Sequence, residues 1–208
     1  GHRIPLVCTS HGGDLFALRG KIMQNMKRWV MDRSQALTVV SQTMKNTVVG
    51  MGISQDKVQI IPMGVDLKNL FVPDSSVIRS DNALLFVGRL VDKKGVRYLL
   101  EALPQVIVKK PDLHLTIAGS GPMEAELRGL AKQLNIADKV DFLGMIEQSK
   151  LPNLYRRAAI AVFPFIVAQS GDQEGFGLVQ VEAMGCGCPV IAGDLPAIHD
   201  SIAHEENG

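Results

Sequence analysis

The sequence predicts an α/β protein built on parallel sheets. Short apolar segments typical of buried strands alternate with segments whose apolar residues recur at helical spacing, through most of the 208 residues. Glycine-rich turns join several of these strands to the helices that follow, and glycine accounts for 20 residues, above the usual share of about 7%. Such alternation places helices on both faces of a parallel sheet, and ligands bind at the carboxyl ends of its strands.

The first part of the chain predicts three strands and two helices. The predicted strands are residues 4–10, 36–40 and 58–61. A long helix is expected from about Leu15 to Ser34, because apolar residues recur there at helical spacing: Leu15, Leu18, Ile22, Met26 and Trp29. Ser41 is a predicted N-cap of the second helix. The turn-rich segment 62–66 then predicts a hinge between two domains.

The second part predicts five strands and four helices. The strands are expected at residues 83–87, 113–118, 140–143, 160–163 and 189–191. Helices are expected around residues 96–107, 123–134 and 152–158, and directly after Gly177. The sequence therefore predicts a first domain over residues 1–65 and a second over residues 66–208.

Composition excludes several classes of protein. The chain is 46% hydrophobic with a formal net charge of +1, which predicts a real core and gives no electrostatic reason to expect nucleic acid as a partner. No apolar run approaches the ~20 residues of a membrane span. Three cysteines are too few for a disulfide framework, and a reduced, cytoplasmic location is expected.

Two carboxylates near the C-terminus form the most informative pattern. Glu174 opens the run Glu174-Gly-Phe-Gly177, and Glu182 follows eight positions after Glu174. A helix beginning near Gly177 would hold Glu182 in its second turn and leave Glu174 in the preceding loop. Eight helical positions span roughly 12 Å, and free amides at the helix start suit an anion. An acid, an anion site and a second acid are the layout expected for a sugar nucleotide.

A second pattern supplies positive charge. Gly88-Arg89 and Lys94-Gly95 lie between a predicted strand and a predicted helix. Glycine allows close approach of the backbone to a ligand, and an arginine fork with a lysine suits a diphosphate. A solvated basic turn is the alternative interpretation. The turn Gly119-Ser-Gly-Pro122 could also cradle phosphate, although it lacks the lysine of a P-loop, and simple turn geometry explains it equally well.

A metal site and a histidine complete the candidates. Asp172 and Glu174 lie two positions apart and could bind a divalent cation. The positive helix end, Arg89 and Lys94 make that ion redundant, so no metal is expected. His11 ends the first strand beside two glycines, where it could bond a substrate hydroxyl or move a proton; a purely structural histidine is the alternative.

The helix predicted over residues 15–34 also carries basic residues, at Arg19, Lys21, Lys27, Arg28 and Arg33. These could place the helix on an acidic membrane surface. A solvated outer face is the alternative, so a peripheral membrane contact remains one of two interpretations.

Together these motifs resemble the retaining glycosyltransferase family 4, whose members have the two-domain GT-B architecture. The resemblance extends over nearly the whole chain and rests on the order and spacing of its pieces. They are Ser10-His11-Gly-Gly, Val39-Val40-Ser41, Ile61-Pro-Met-Gly-Val-Asp66, Gly88-Arg89 with Lys94-Gly95, Ala118-Gly-Ser-Gly-Pro122, Phe142-Leu-Gly144, Glu174-Gly-Phe-Gly-Leu178, Glu182-Ala-Met184 and Pro189-Val. The expected fold is α/β of GT-B type, with two Rossmann-like parallel-sheet domains of which the first is only partly present.

The resemblance implies a role for each matched residue. Arg89 and Lys94, next to Gly88, would neutralise the donor diphosphate and stabilise the departing nucleotide. Glu182 would accept hydrogen bonds from the ribose hydroxyls, and Glu174 would contact the donor sugar near the reacting carbon. The remaining implied contacts are the backbone amides of Phe176, Gly177 and Leu178 on the distal phosphate and sugar, His11 facing the sugar from the other domain, and the segment after Leu143 bordering the base.

The implied activity is transfer of a sugar from a nucleotide-diphosphate sugar to an acceptor hydroxyl, with retained anomeric configuration and without a metal. The acceptor could be a sugar, a lipid or a small molecule. Family members carry a longer acceptor-side domain before the Ser10-His11 strand and further helices after residue 208, so the chain is expected to be part of a longer protein. Three alternatives remain: a donor-binding module without turnover, a GT-B sugar-nucleotide epimerase, and a non-catalytic interaction fragment that binds no nucleotide.

Overall fold

The computed structural model describes residues 4–207, and the chain divides into two compact units. The first unit comprises Gly1–Gly64, Val167–Gly177 and Asp194–Ser201. The second unit comprises Val65–Ile166, Leu178–Gly193 and Ile202–Gly208. Each unit contains its own parallel sheet, which confirms the predicted α/β class.

The first unit is built on a three-stranded parallel sheet of order β1-β2-β3. Its elements in chain order are β1 (Val7–Ser10), α1 (Gly13–Phe16), α2 (Lys21–Arg33), β2 (Ala36–Val39), α3 (Gln42–Gly50) and β3 (Val58–Ile60). The predicted cap is confirmed, because the Ser41 hydroxyl accepts a hydrogen bond of 3.3 Å from the amide of Met44. Apolar side chains from α1, β2 and α3 fill the core beneath the sheet.

The prediction of one long helix from Leu15 to Ser34 is wrong, because the helix is interrupted between α1 and α2. Leu18 lies in the left-handed region with φ 57°, and α2 begins only after Gly20. The Nζ atom of Lys27 donates to the carbonyl oxygens of Leu15 and Ala17 and so satisfies groups that a continuous helix would have bonded internally. Regular spacing of apolar residues could not reveal this interruption.

The second unit is built on a five-stranded parallel sheet of order β6-β5-β4-β7-β8. Its elements are β4 (Ala83–Val87), α4 (Val96–Lys109), β5 (His114–Ala118), α5 (Glu124–Gln133), β6 (Val140–Gly144), α6 (Leu151–Arg157), β7 (Ile160–Phe163), α7 (Leu178–Gly185) and β8 (Val190–Ala192). Each of these strands was predicted to within two residues at its ends. The strands β4 and β7 are apolar at every position, as expected of strands covered on both sheet faces.

The strand order creates a crevice beside β4. From β4 the chain proceeds to β5 and β6 on one side, and then to β7 and β8 on the other. The connections after β4 and β7 therefore leave the sheet in opposite directions, and ligands of open α/β sheets bind at such a switch point. The sequence that follows β4 there is Gly88-Arg89.

Within residues 4–207, no helix is both long enough and apolar enough to cross a bilayer.

Candidate functional site

The glycine turns after β4 and β5 pack backbone against backbone. A Cβ atom at Gly119 would lie 1.9 Å from the carbonyl oxygen of Gly88, and one at Gly121 would lie 2.3 Å from that of Leu90. The amide of Gly88 donates to the carbonyl of Ala118 at 3.0 Å. Close packing of the two turns therefore explains why glycine occupies positions 119 and 121, because any larger residue would force the turns apart.

A cavity of about 480 Å³ opens over these turns, and we call it the switch-point cavity. Its volume lies within the range of small-molecule sites. Three segments line it, one after each of β4, β5 and β6: Val87, Gly88, Arg89, Ala118, Gly119, Ser120, Gly121, Met145, Ile146 and Leu151. The cavity is therefore at the carboxyl ends of the strands, as the α/β fold predicts.

The structure brings Arg89 and Lys94 to the same strand end. Arg89 is exposed directly after Gly88, and a Cβ atom at Gly88 would lie 3.8 Å from Cε of Lys94. The Lys94 ammonium lies 4.7 Å from the ring centroid of Phe165, which restricts where the lysine head can move. Arg89 and Lys94 thus lie close to Gly88, which has φ 153° and no side chain to cover its backbone.

The segment that carries Lys94 is held by the loop after β7. Gly95 has φ 66°, and a Cβ atom there would lie 1.8 Å from the carbonyl oxygen of Pro164. The amide of Ile166 donates to the carbonyl of Lys93 at 3.0 Å. Lys94 therefore sits on a fixed backbone between two strand ends.

Glu182 lies in the second turn of α7, as predicted, and is nearly buried with 8% exposure. The hydroxyl of Tyr155, on α6, donates to its Oε2 atom at 3.0 Å. Burial raises the pKa of the Glu182 carboxyl above its ordinary value, and the hydrogen bond from Tyr155 opposes part of that rise. Tyr155 was not singled out from the sequence, although a tyrosine among apolar helix residues signals a hydroxyl that needs a partner.

In the first unit, the loop that carries Glu174 packs on the end of β1. A Cβ atom at Gly175 would lie 2.9 Å from the carbonyl oxygen of His11 and 3.2 Å from Cα of Gly12. The amide of Gly175 donates to Oε1 of Glu174 at 3.2 Å. The backbones of His11 and Glu174 are thus brought together, and Phe176 packs against the first unit's core.

Asp14 shapes the turn that presents His11. Its Oδ1 atom accepts hydrogen bonds from the amides of His11 at 3.1 Å and Gly12 at 2.9 Å. Burial would raise the pKa of the Asp14 carboxyl, but the nearby Ser10 hydroxyl and the hydrogen bonds from these amides hold that pKa below its ordinary value. The sequence interpretation missed Asp14. An aspartate that follows a glycine-rich turn by two or three positions can accept hydrogen bonds from the amides of that turn, and this spacing was the available signal.

Arg19 anchors the other end of the Glu174 loop. Its Nη2 atom donates to the carbonyl of Gly171 at 2.8 Å. A Cβ atom at Gly171 would fall 2.0 Å from Nε of the same arginine, and Gly171 has φ 82°. The segment 167–177 is therefore held at Gly171 and at Gly175 within the first unit.

The predicted site residues fall into two sets by unit. The first unit holds His11, Glu174, Phe176 and Gly177. The second unit holds Gly88, Arg89, Lys94, Leu178 and Glu182. The chain passes from one unit to the other between Gly177 and Leu178, the first residue of α7. Among the described residues, histidine, cysteine, aspartate and glutamate form no group of three that could hold a metal ion.

Comparison with known families identifies the class of protein. Residues 72–208 match the family model of glycosyl transferases group 1, and residues 1–69 match that of glycosyltransferase family 4. The chain belongs to the glycosyl transferases group 1 family, which confirms the resemblance found in its motifs.

Curated relatives carry glycosyltransferase names. The chain is 31% identical to an uncharacterized glycosyltransferase of Methanocaldococcus jannaschii, over 99% of this chain and 56% of the relative. It is 34% identical to a GDP-mannose-dependent monoacylated alpha-(1-6)-phosphatidylinositol monomannoside mannosyltransferase of Corynebacterium glutamicum, over 90% and 52%. The chain therefore spans about half the length of the curated relatives it matches.

Solved structures share the fold. HepE of Anabaena, crystallised in complex with UDP-glucose, superposes with a TM-score of 0.82 at 23% identity, over 96% of this chain and 56% of HepE. Sucrose-phosphate synthase of Thermosynechococcus elongatus superposes with a TM-score of 0.72 at 28% identity, over 89% and 49%. The GT-B fold predicted from the sequence is confirmed.

Proposed function

We propose that the chain is the donor-binding part of a retaining glycosyltransferase, which moves a sugar from a nucleotide-diphosphate sugar to an acceptor hydroxyl without a metal. The observation that carries the proposal is the pair of cations, Arg89 and Lys94, flanking Gly88 beside the switch-point cavity. Residues 1–65 would then be the acceptor-side domain and residues 66–208 the nucleotide-sugar-binding domain.

The two cations match the charge of a diphosphate. A diphosphate bears about two negative charges, and each charge-assisted hydrogen bond contributes about 1.5–3 kcal/mol. The same positive charge would stabilise the nucleotide as it leaves the sugar, which is the main electrostatic demand of the reaction. Because Gly88 lacks a side chain, the phosphates can reach the backbone there.

The start of α7 supplies a further anion site. The helix begins at Leu178, and backbone amides at the start of a helix suit an anion, so the backbone of Phe176, Gly177 and Leu178 is assigned to the distal phosphate and the donor sugar. Arg89, Lys94 and this helix end together provide the positive charge that a divalent cation would bring. A metal is therefore unnecessary in the proposal.

Glu182 and the cavity walls would recognise the nucleoside. A carboxylate accepts hydrogen bonds only, which suits the two ribose hydroxyls. Met145 and Ile146, which follow Leu143 and line the switch-point cavity, would border the base. One named relative is GDP-mannose-dependent and one solved neighbour was crystallised with UDP-glucose, so the proposal extends to the donor class and not to one base.

His11 and Glu174 are assigned to the donor sugar. Asp14 holds the turn at His11, and the loop that carries Glu174 is held at Gly171 by Arg19 and at Gly175 by its close approach to His11, so both side chains stand on fixed backbone. Glu174 would contact the sugar near the reacting carbon, and His11 would bond a sugar hydroxyl or carry a proton.

The proposal also places the protein in the cytoplasm, at an anionic membrane face. Ile22, Met26 and Trp29 form an exposed apolar stripe on α2, with exposures of 76%, 56% and 58%. The same helix carries one acid and four basic residues, of which Lys27 is engaged with the carbonyls of Leu15 and Ala17. Apolar side chains among cations complement an anionic lipid surface, because buried apolar area and positive charge both strengthen membrane binding. A lipid acceptor would lie at the same surface.

Vesicle binding tests this contact. Trp29 is the sole tryptophan, so its fluorescence should shift to the blue with phosphatidylglycerol vesicles and stay unchanged with phosphatidylcholine. Ile22→Glu should abolish the shift. Ile78→Glu, at a residue 90% exposed in the second unit, is the matched control and should leave it intact. An equal response to both vesicle types would contradict the proposal.

Product analysis tests the proposed reaction. The chain is incubated with UDP-, GDP- and ADP-sugars and with glycerol as the acceptor hydroxyl, with and without EDTA, and the nucleoside diphosphate and glycoside products are followed by NMR. The proposal expects release of one nucleoside diphosphate, unaffected by EDTA, with the sugar in its original anomeric configuration. Nucleotide binding without release would instead establish a donor-binding module. Conversion of a sugar nucleotide into its epimer without an acceptor would establish an epimerase.

A further inference from the structure

We propose that Tyr155 is a positioning residue for donor recognition: it holds one oxygen of Glu182 so that the other is presented to the ribose hydroxyls. This inference rests on the proposed function and adds a specificity determinant to it. Tyr155 belongs to none of the motifs that define the family resemblance, and it acts on the nucleoside only through Glu182.

The contact joins two helices across a buried space. The Tyr155 hydroxyl, on α6, lies 3.0 Å from Oε2 of Glu182, on α7. Tyr155 is fully buried. Its ring meets Phe71 edge-on, with centroids 6.2 Å apart. Since the ring is packed in this way, the hydroxyl has little freedom to leave the carboxylate.

The direction of the hydrogen bond is determined by electrostatics. Burial, followed by the nearby Glu182 carboxylate, raises the pKa of the Tyr155 phenol, so the phenol keeps its proton and donates. Because a carboxylate at Glu182 can only accept, Tyr155 fixes the rotation of the carboxylate group. Among the described residues, Tyr155 is the hydrogen-bond partner of this carboxylate.

Ribose supplies the complementary donors. Its 2′- and 3′-hydroxyl groups can both donate to the carboxylate oxygen that Tyr155 leaves available. A site built to bond a hydroxyl discriminates against an analogue without it, because its own polar group is then left unpaired. Removal of the Tyr155 hydroxyl should therefore affect the preference for ribose over deoxyribose, and not general affinity for phosphate.

The test compares Tyr155→Phe with wild type by titration calorimetry, using UDP, GDP and ADP and their 2′-deoxy analogues. For the nucleotide that binds, wild type should prefer the ribose form by about tenfold, which corresponds to ~1.4 kcal/mol. In Tyr155→Phe the preference should fall below about threefold, while affinity for the deoxy analogue stays unchanged. Tyr98→Phe, at the other of the two tyrosines and half exposed, is the matched control and should behave as wild type.

The calorimetric results separate failure of the Tyr155 inference from failure of the proposed function. Full ribose preference in Tyr155→Phe would overturn the inference and leave the proposed function standing. Absence of binding by wild type to every nucleotide would overturn the proposed function, and the inference with it. If Tyr155→Phe fails to fold, fluorine NMR of fluorotyrosine-labelled wild type decides. The Tyr155 resonance, assigned with Tyr98→Phe, should shift more with the ribonucleotide than with its deoxy analogue, and equal shifts would overturn the inference.

Discussion

The backbone of Gly175 passes so close to His11 that a Cβ atom at Gly175 would lie 2.9 Å from the His11 carbonyl oxygen. Two segments 164 positions apart in the sequence thus meet through backbone alone. The close approach explains why glycine follows Glu174, and it couples the position of that glutamate to the end of β1.

Gly175→Ala should therefore lower the stability of the protein. The added methyl group must displace backbone of His11 and Gly12, and forced overpacking costs about 1–3 kcal/mol. Gly50→Ala, at the end of α3 with no atom within 4 Å of the new methyl, is the control in the same unit and should be neutral. Chemical denaturation measures both, and equal midpoints for the two variants would contradict the packing argument.

Gly95→Ala should cost more, because two effects combine there. The residue has φ 66°, and a Cβ atom would lie 1.8 Å from the Pro164 carbonyl oxygen. A loss of more than about 2 kcal/mol is expected. Gly129→Ala, on α5 with open space around it, should instead stabilise by about 0.5–1 kcal/mol. Thermal unfolding distinguishes the two, and a Gly95→Ala protein as stable as wild type would show that the contact with Pro164 is dispensable.

Arg89→Ala and Lys94→Ala should each weaken nucleoside diphosphate binding by at least about tenfold, through loss of a charge-assisted bond. Arg97→Ala is the charge-matched control. This arginine lies on α4 and pairs with Glu101 and Glu126 on the surface, where ion pairs contribute little. Calorimetry measures the affinities. Arg89→Ala and Lys94→Ala proteins that bind as tightly as Arg97→Ala would refute the phosphate assignment.

Glu182→Gln should change how stability depends on pH. Burial raises the pKa of the Glu182 carboxyl above its ordinary value of 4.5. Between those two values the folded state therefore binds more protons than the unfolded state, so stability from this group falls as pH rises above about 4.5. Glutamine does not ionise, so the variant does not lose stability in this way. The free energy of unfolding of Glu182→Gln should therefore rise relative to that of wild type as the pH rises through this window.

The neighbours of Glu182 do not alter the sign of that prediction. The titratable groups that interact with Glu182 are Tyr155 and Cys186, whose pKa values burial raises, so they remain neutral in the window. Denaturation midpoints between pH 4 and 7 give the comparison, and parallel curves for wild type and variant would contradict the predicted proton uptake.

The strands could be predicted because their apolar runs are bounded by glycine turns, and both features are local. The α1–α2 break could not, because it depends on Leu18 taking a left-handed conformation and on Lys27 bonding carbonyls up to twelve positions away. In the same way Tyr155 escaped notice, since its contact with Glu182 spans 27 positions. Such contacts arise only when helices pack.

For the candidate site, the sequence predicted the positions of the residues but not their roles. Glu182 lies in the second turn of α7 and Arg89 follows β4, as their sequence contexts predicted. Their roles remain predictions, because a role depends on where a ligand lies. The identity of the base is outside the reach of the sequence, since Met145 and Ile146 offer apolar surface that any base can contact.

Titration calorimetry of the 208-residue chain with UDP, GDP and ADP, with and without EDTA, is the decisive experiment for the proposed donor site. The account predicts that one nucleotide binds and that EDTA leaves its affinity unchanged, because Arg89, Lys94 and the start of α7 supply the positive charge. Failure of all three nucleotides to bind would contradict the donor site. Binding that EDTA abolishes would contradict its independence of metal and return Asp172 and Glu174 to consideration as ligands.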